Sequence, residues 1–213
     1  MATLINGDIF DEKYKNPQTC IVHQCNCIAV KPHGLSEEIA KRFGNYANVY
    51  GMREKISNNI AAIHARPRPG TIIFAEGLPN VVALFGQYMY GSFTKGLFWS
   101  KNFRGRYDKH IDEGIKKDTK EDRISYFKEA LVKLKEFLLN YNSNNDSKKI
   151  DTIIFPYGIG CNLAGGDWRV YENEIQIFAE EMLETHFRIL IVQKNHTNFP
   201  TVDPFAKNSP KII

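Results

Sequence analysis

The chain has 213 residues, of which 43% are hydrophobic and 24% charged, and 28 Lys+Arg stand against 24 Asp+Glu for a net charge of +4. With 14 Phe, 10 Tyr and 2 Trp it carries too many apolar anchors for a disordered chain, and its length suits one roomy domain better than two small ones. The small positive charge does not imply nucleic acid, because an anionic small molecule suits its sign equally well.

In chain order, Thr3–Ile5 reads as a first strand running into the turn Asn6-Gly7-Asp8. Thr19–Asn26 is a second strand, apolar and rich in cysteine. Leu35–Phe43 reads as a helix with Leu35, Ile39, Ala40 and Phe43 on one face and Gly44 as its stop. Gly70–Ala75 and Asn80–Gln87 read as a hairpin joined by Glu76-Gly77-Leu78-Pro79. Between Tyr88 and Glu121 lies a long glycine-containing, charged segment, expected as a functional flap or an insert. Ile124–Leu139 is an amphipathic helix with Phe127, Leu131, Leu134 and Leu138 in one stripe. Tyr141–Lys149 reads as a polar loop, Thr152–Tyr157 as a buried strand, Trp168–Glu184 as a helix and Phe187–Gln193 as a last strand. Residues 195–213 read as a polar tail. Strands alternating with helices predict a three-layer α/β/α sandwich, and the hairpin makes its central sheet mixed. The domain is expected to span residues 1–194, with the flap inserted near 88–121.

The longest apolar runs, Val81–Phe85 and Ile189–Val192, are strand-length, far short of the roughly 20 residues of a transmembrane helix, so no membrane association is expected. Met1–Asp8 lacks the charged and apolar regions of a secretory signal, and Cys20, Cys25, Cys27 and Cys161 are expected as reduced thiols. The expected location is intracellular, cytoplasmic or nuclear.

Three segments carry chemistry. In Ile153–Trp168 an apolar strand empties into a loop with glycines at 158, 160, 165 and 166, directly ahead of a helix. Glycines let backbone amides approach a ligand and a helix start adds positive potential, a combination that binds phosphate. The plainer alternative is a tight turn using glycine for its backbone freedom. In Ile21–Cys27 the polar His23 and Asn26 end an apolar strand, where α/β sheets place ligands. His23 suits proton transfer or a satisfied core position, and Asn26 suits sugar hydroxyls. His23, Cys25 and Cys27 lack the two-pair spacing of a zinc site, so no metal is expected. In Asn6–Phe10, Asp8 can accept from an exocyclic amine while Ile9 and Phe10 pack an aromatic ring, or the segment is an ordinary turn.

Taken together, Gly7-Asp8-Ile9, His23-x-Cys25-Asn26-Cys27, Gly34-Leu35-Ser36 and Tyr157–Leu163 with Gly165-Gly166-Asp167-Trp168 resemble the macrodomains, ADP-ribose-binding α/β/α modules. The resemblance is closest to the branch with ADP-ribose 1″-phosphate phosphatases and small ADP-ribosyl-hydrolases, and it covers most of Leu4–Gln193. It implies that Asp8 accepts from the adenine amine with Ile9 against the ring. It also implies that Tyr157, Gly158, Ile159, Gly160, Cys161, Asn162 and Leu163 wrap the distal phosphate and ribose, faced by His33, Gly34 and Leu35. By the same resemblance Asn26 addresses the distal ribose, His23 matches a catalytic histidine and Asp167 a catalytic acid. Asp167 reads equally as the N-cap of the following helix.

Two departures bear on mechanism. Lys31-Pro32-His33-Gly34 stands where relatives have consecutive glycines, and its Lys31 or His33 suits a phosphate. The lysine nucleophile of some hydrolase relatives has Gln87 and Tyr88 in its place, and their acid falls near Ala164, which argues against a lysyl intermediate. The expected activity is therefore hydrolysis of an ADP-ribose derivative, removing a terminal 1″-phosphate or a protein-linked ADP-ribosyl group, with no cofactor. Alternatives are a non-catalytic ADP-ribose reader and, more weakly, nucleic-acid binding by the basic, aromatic segment Lys95–Lys120.

Overall fold

The computed structural model describes residues 1–91, 115 and 118–194. Most of the expected flap and all of the expected tail therefore lie outside the described residues. Six strands form one sheet: β1 (Thr3–Asn6), β2 (Thr19–Asn26), β5 (Ile72–Ala75), β6 (Asn80–Gln87), β7 (Thr152–Pro156) and β8 (Arg188–Gln193). The spatial order is β1-β8-β7-β2-β6-β5, parallel throughout except for β5, which runs antiparallel to β6. A separate two-stranded ribbon, β3 (Lys55–Ser57) with β4 (Ile60–Ala61), was not legible as strand pattern, being only three and two residues long.

The alternation of side chains along the parallel strands builds the layers. From one face Cys20, Val22, Ile153, Phe155, Ile189 and Ile191 meet α2 (Lys120–Asn144) and α3 (Trp168–Glu181). From the other, Ile21, Ile154, Leu190 and Val81 meet the Leu35, Ile39 and Phe43 face of α1 (Leu35–Phe43). The result is the three-layer α/β/α sandwich with a mixed sheet.

Helix lengths differ from the sequence expectation where capping, not the apolar stripe, sets the ends. α2 starts at Lys120, inside the expected flap, because Thr119 and Asp122 form a reciprocal capping box. It runs on to Asn144, into the expected loop, and Asn142 clamps Ile150 through Nδ2–H to its carbonyl at 2.7 Å and Oδ1 from its amide at 2.9 Å. α3 ends at Glu181, three residues early. The stripe Phe127, Leu131, Leu134 and Leu138 is buried as expected. All four cysteines are free thiols. Among the described residues no helix is long and apolar enough to cross a membrane.

Leu134 has no exposed surface and packs between α2 and the sheet. Leu134→Ala is expected to destabilise the fold by about 3 kcal/mol through lost burial and a residual cavity. Urea unfolding should show a lowered midpoint at unchanged slope. A change below the error of the extrapolation would remove Leu134 from the core argument.

Candidate functional site

β2 and β7 are neighbours, yet the helices that follow them leave on opposite faces, α1 on one side and α3 on the other. The loops after these two strands therefore diverge, and a crevice opens at their C-terminal ends. A cavity of about 640 Å³ occupies this place. It is lined by Asn26, Ala29 and Lys31 at and beyond the end of β2, by His33–Ser36 at the start of α1, and by Pro156–Ala164 from the end of β7 onward. Gln24, Gln87, Tyr90 and Gly91 close one end, and Tyr50 and Asn59 reach in from the segment before β5.

The loop after β7 folds back on itself. Cys161 N–H donates to Gly158 O and Gly166 N–H to Gly160 O, each at 3.0 Å. Gly160 has φ +76°, and a Cβ there would stand 2.3 Å from the Tyr171 ring, so only glycine fits. Between these bonds the amides of Gly158, Gly160, Asn162, Leu163 and Ala164 meet no acceptor among the described residues. Tyr157 packs at a tilt against Trp168 with ring centroids 4.5 Å apart and, with Leu163, forms an exposed apolar rim.

Facing this loop is the N-terminus of α1. Its N-cap, Gly34, has φ +59° and no side chain to cap the first turn, so the leading amides stay open towards the cavity. A Cβ on Gly34 would lie 3.7 Å from Leu163 Cδ1, which measures how closely the two loops approach. The expected helix-start contribution thus comes from α1. The start of α3 is instead closed by Asp167, whose carboxylate accepts from Arg169 N–H at 3.1 Å.

Asn26 is held in one orientation. Its backbone N–H and its Nδ2–H donate to the Tyr50 hydroxyl at 3.0 and 3.2 Å, and its Oδ1 accepts from Ala29 N–H at 2.8 Å. Asn59 Oδ1 accepts from the amides of Val30 and Lys31 at 3.1 and 2.8 Å, fixing the next turn of the loop. Arg53 supports it from below, donating to Cys27 O and Ala29 O at 3.1 and 2.6 Å while stacking on Tyr50.

The cavity thus brings together Asn26, His33, Gly34, Leu35 and all of Tyr157–Leu163. It does not include His23, Asp167, Asp8 or Ile9. His23, 1% exposed, lies on the opposite side chain face from Gln24, with Nδ1 3.5 Å from Cys25 Sγ. Burial pushes its pKa down to about 4, so it is neutral at physiological pH. Asp167 is the helix cap, held ionised first by the Arg169 amide and then by its side chain. Asp8 sits at the same end of the sheet, after β1. Its partial burial opposes ionisation, but hydrogen bonds from Lys194 at 2.8 Å and Phe10 N–H at 3.1 Å, with charges on Lys194 and Arg42, hold it below the usual carboxylate range. Ile9 is buried against Tyr14, Ile21 and Leu190. Cys161 lines the cavity, but burial, helped by Asp167, pushes its thiol up to about 11, away from nucleophilic use.

Tyr50 and Asn59 were missed because the segment between α1 and β5 shows no periodicity. Gln24 sits on a strand end where ligand contacts are expected, and that position is the signal that would have found it.

No protein-family model and no curated protein sequence matches the chain. Solved structures do. The macrodomain of Mycobacterium tuberculosis DarG aligns with a TM-score of 0.53 at 14% identity, over 91% of this chain and 97% of that one. The macrodomain of Thermus aquaticus DarG gives 0.49 at 15% identity, over 92% and 98%. A mutant Oceanobacillus iheyensis macrodomain gives 0.48 at 16%, over 91% and 84%. The first of these shows that the chain has the macrodomain fold.

The buried histidine makes a pH prediction. The unfolded chain protonates His23 near 6.5 and the folded chain only near 4, so unfolding takes up a proton between these values. Stability is therefore lost as pH falls from 6.5 to 4, by up to about 3 kcal/mol from this group, and is unaffected by it above. Urea unfolding at pH 7.5 and 5 should show a smaller loss in His23→Gln than in the parent. Equal losses would remove His23 as their source.

Proposed function

We propose that the cleft binds ADP-ribose, or the ADP-ribosyl group of a modified substrate, and hydrolyses the bond at the distal ribose. The leaving group is a terminal 1″-phosphate or a linked acceptor, and the working unit is residues 1–194 with its insert near 88–121. One observation carries the reading: two backbone surfaces that seek anions, the open amides of Gly158–Ala164 and the uncapped start of α1, converge on one cavity. Lys31 and His33 are the basic side chains lining it, and no carboxylate is among the described residues that do. Such a wall favours a pyrophosphate or phosphomonoester.

In this reading Asn26 addresses the distal ribose with the amide hydrogen that Tyr50 leaves over. Asp8, with Phe10 beside it, receives the adenine amine at the far end of the sheet edge. The proton transfer falls to His33, because it is the imidazole that lines the cleft. His23 and Asp167, the catalytic pair suggested by resemblance, have their burial and their capping bond as sufficient roles. That same observation favours a second reading, a reader that binds ADP-ribose without turnover.

Calorimetric titration with ADP-ribose should give heat and a raised Tm, and Asn26→Ala should weaken binding about tenfold, the scale of one or two lost hydrogen bonds. Absence of both heat and thermal shift would sink either reading. For turnover, phosphate release from ADP-ribose 1″-phosphate should fall at least about 100-fold in His33→Ala and persist, per folded molecule, in Asp167→Ala. Binding without release, from this substrate or from ADP-ribosylated protein, establishes the reader.

A further inference from the structure

Asp118 and Arg123 form an ion pair with side chains 1% and 3% exposed, Nη2–H donating to Oδ2 at 2.5 Å. Burying two charges is costly and is offset only when their remaining hydrogen-bonding capacity is met. Here most of it is met by backbone from other segments, Arg123 Nε–H alone finding no partner among the described residues. The Asp118 carboxylate accepts from Tyr88 N–H at 3.1 Å and Met89 N–H at 3.0 Å, just past the end of β6. Arg123 Nη1 donates to Gly91 O and to Ala164 O, each at 2.8 Å. Gly91 and Ala164 both line the cavity, one from the β6 side and one from the loop after β7.

The contact to Ala164 matters because of what else holds that loop. Residues 161–165 bond within the loop, Cys161 to Gly158 and Ile159 and Gly165 to Asn162. Among the described residues, Arg123 to Ala164 O is the hydrogen bond that joins 161–165 to another element. A packing role alone would not need a guanidinium, since Thr119 and Asp122 already cap α2.

We propose that Arg123, anchored by Asp118, is a positioning residue for the ligand loop. It sets the separation of Gly91 and Ala164, and with it the aim of the open amides between Gly158 and Ala164. The inference deepens the reading of the cleft as an ADP-ribose site and rests on that reading for its effect on affinity. The loop tether itself does not depend on it.

The test separates the two. Arg123→Lys keeps the charge opposite Asp118 but lacks the planar fork that reaches a carboxylate and two carbonyls together. The double variant Asp118→Asn with Arg123→Met removes both charges and strands neither. Leu138→Ala, at the far end of α2, is the control for general loss of stability. Without ligand, hydrogen exchange at the amides of Gly165 and Gly166 should be about tenfold faster in both Arg123 variants than in a control of equal global stability. By calorimetry the same variants should weaken ADP-ribose binding about tenfold, with the control unchanged. Unaltered loop exchange in folded Arg123 variants overturns the tether. If the parent protein binds no ADP-ribose, the ligand reading fails and the exchange data still decide the tether. Faster exchange with unchanged affinity overturns the positioning role.

Discussion

Two adjacent parallel strands whose following helices must pack on opposite faces of the sheet cannot have their loops side by side, and the rest of the molecule depends on that constraint. β2 hands the chain to α1 on one face, and β7 hands it to α3 on the other. The C-terminal ends of the two strands are left open between the helices. The cavity there is lined largely by residues of the two loops, several of whose amides meet no acceptor among the described residues. A wall of this kind presents backbone donors and no carboxylate, which suits a bulky anion better than a cation.

The electrostatics follow from what burial does to each titratable group. Where a group is sealed off, as with His23 and Cys25, burial drives it to the neutral form, and it serves as core. Where a charge is kept inside, as at Asp118 and Arg123, it is paired and used to hold backbone. Exposed Lys31 and His33 remain to face the cleft. The +4 of the whole chain is therefore less informative than the placement of these two residues on one loop.

The strands and the helix faces were legible because burial on both sides of a sheet demands continuous apolar runs, and burial on one side of a helix demands a stripe. β2 as Thr19–Asn26 and α1 as Leu35–Phe43 follow directly from those patterns. Helix ends were less so, since the Thr119–Asp122 box and the Asn142 clamp act through single polar contacts. Within the site, glycine spacing marked the loop after β7 and the one before α1. It could not separate His23, which alternation turns under α1, from Asn26 three residues on, which ends β2 on the side that Gln24 also turns to the cavity.

What the amino-acid order determined by itself is local: which segments bury one face or two, where the chain must break, and which loop is stripped of side chains so that its amides can be reached. Those properties depend on residue type at fixed spacing and survive without knowledge of neighbours. The tertiary structure alone decided which polar residues share a cavity. That choice depends on strand order, on the face each helix takes and on long-range bonds such as Tyr50 to Asn26 and Arg123 to Ala164, which join residues 24 and 41 positions apart. Contacts of that range have no signature in any short window of sequence, because the two partners are brought together only by the packing of everything between them.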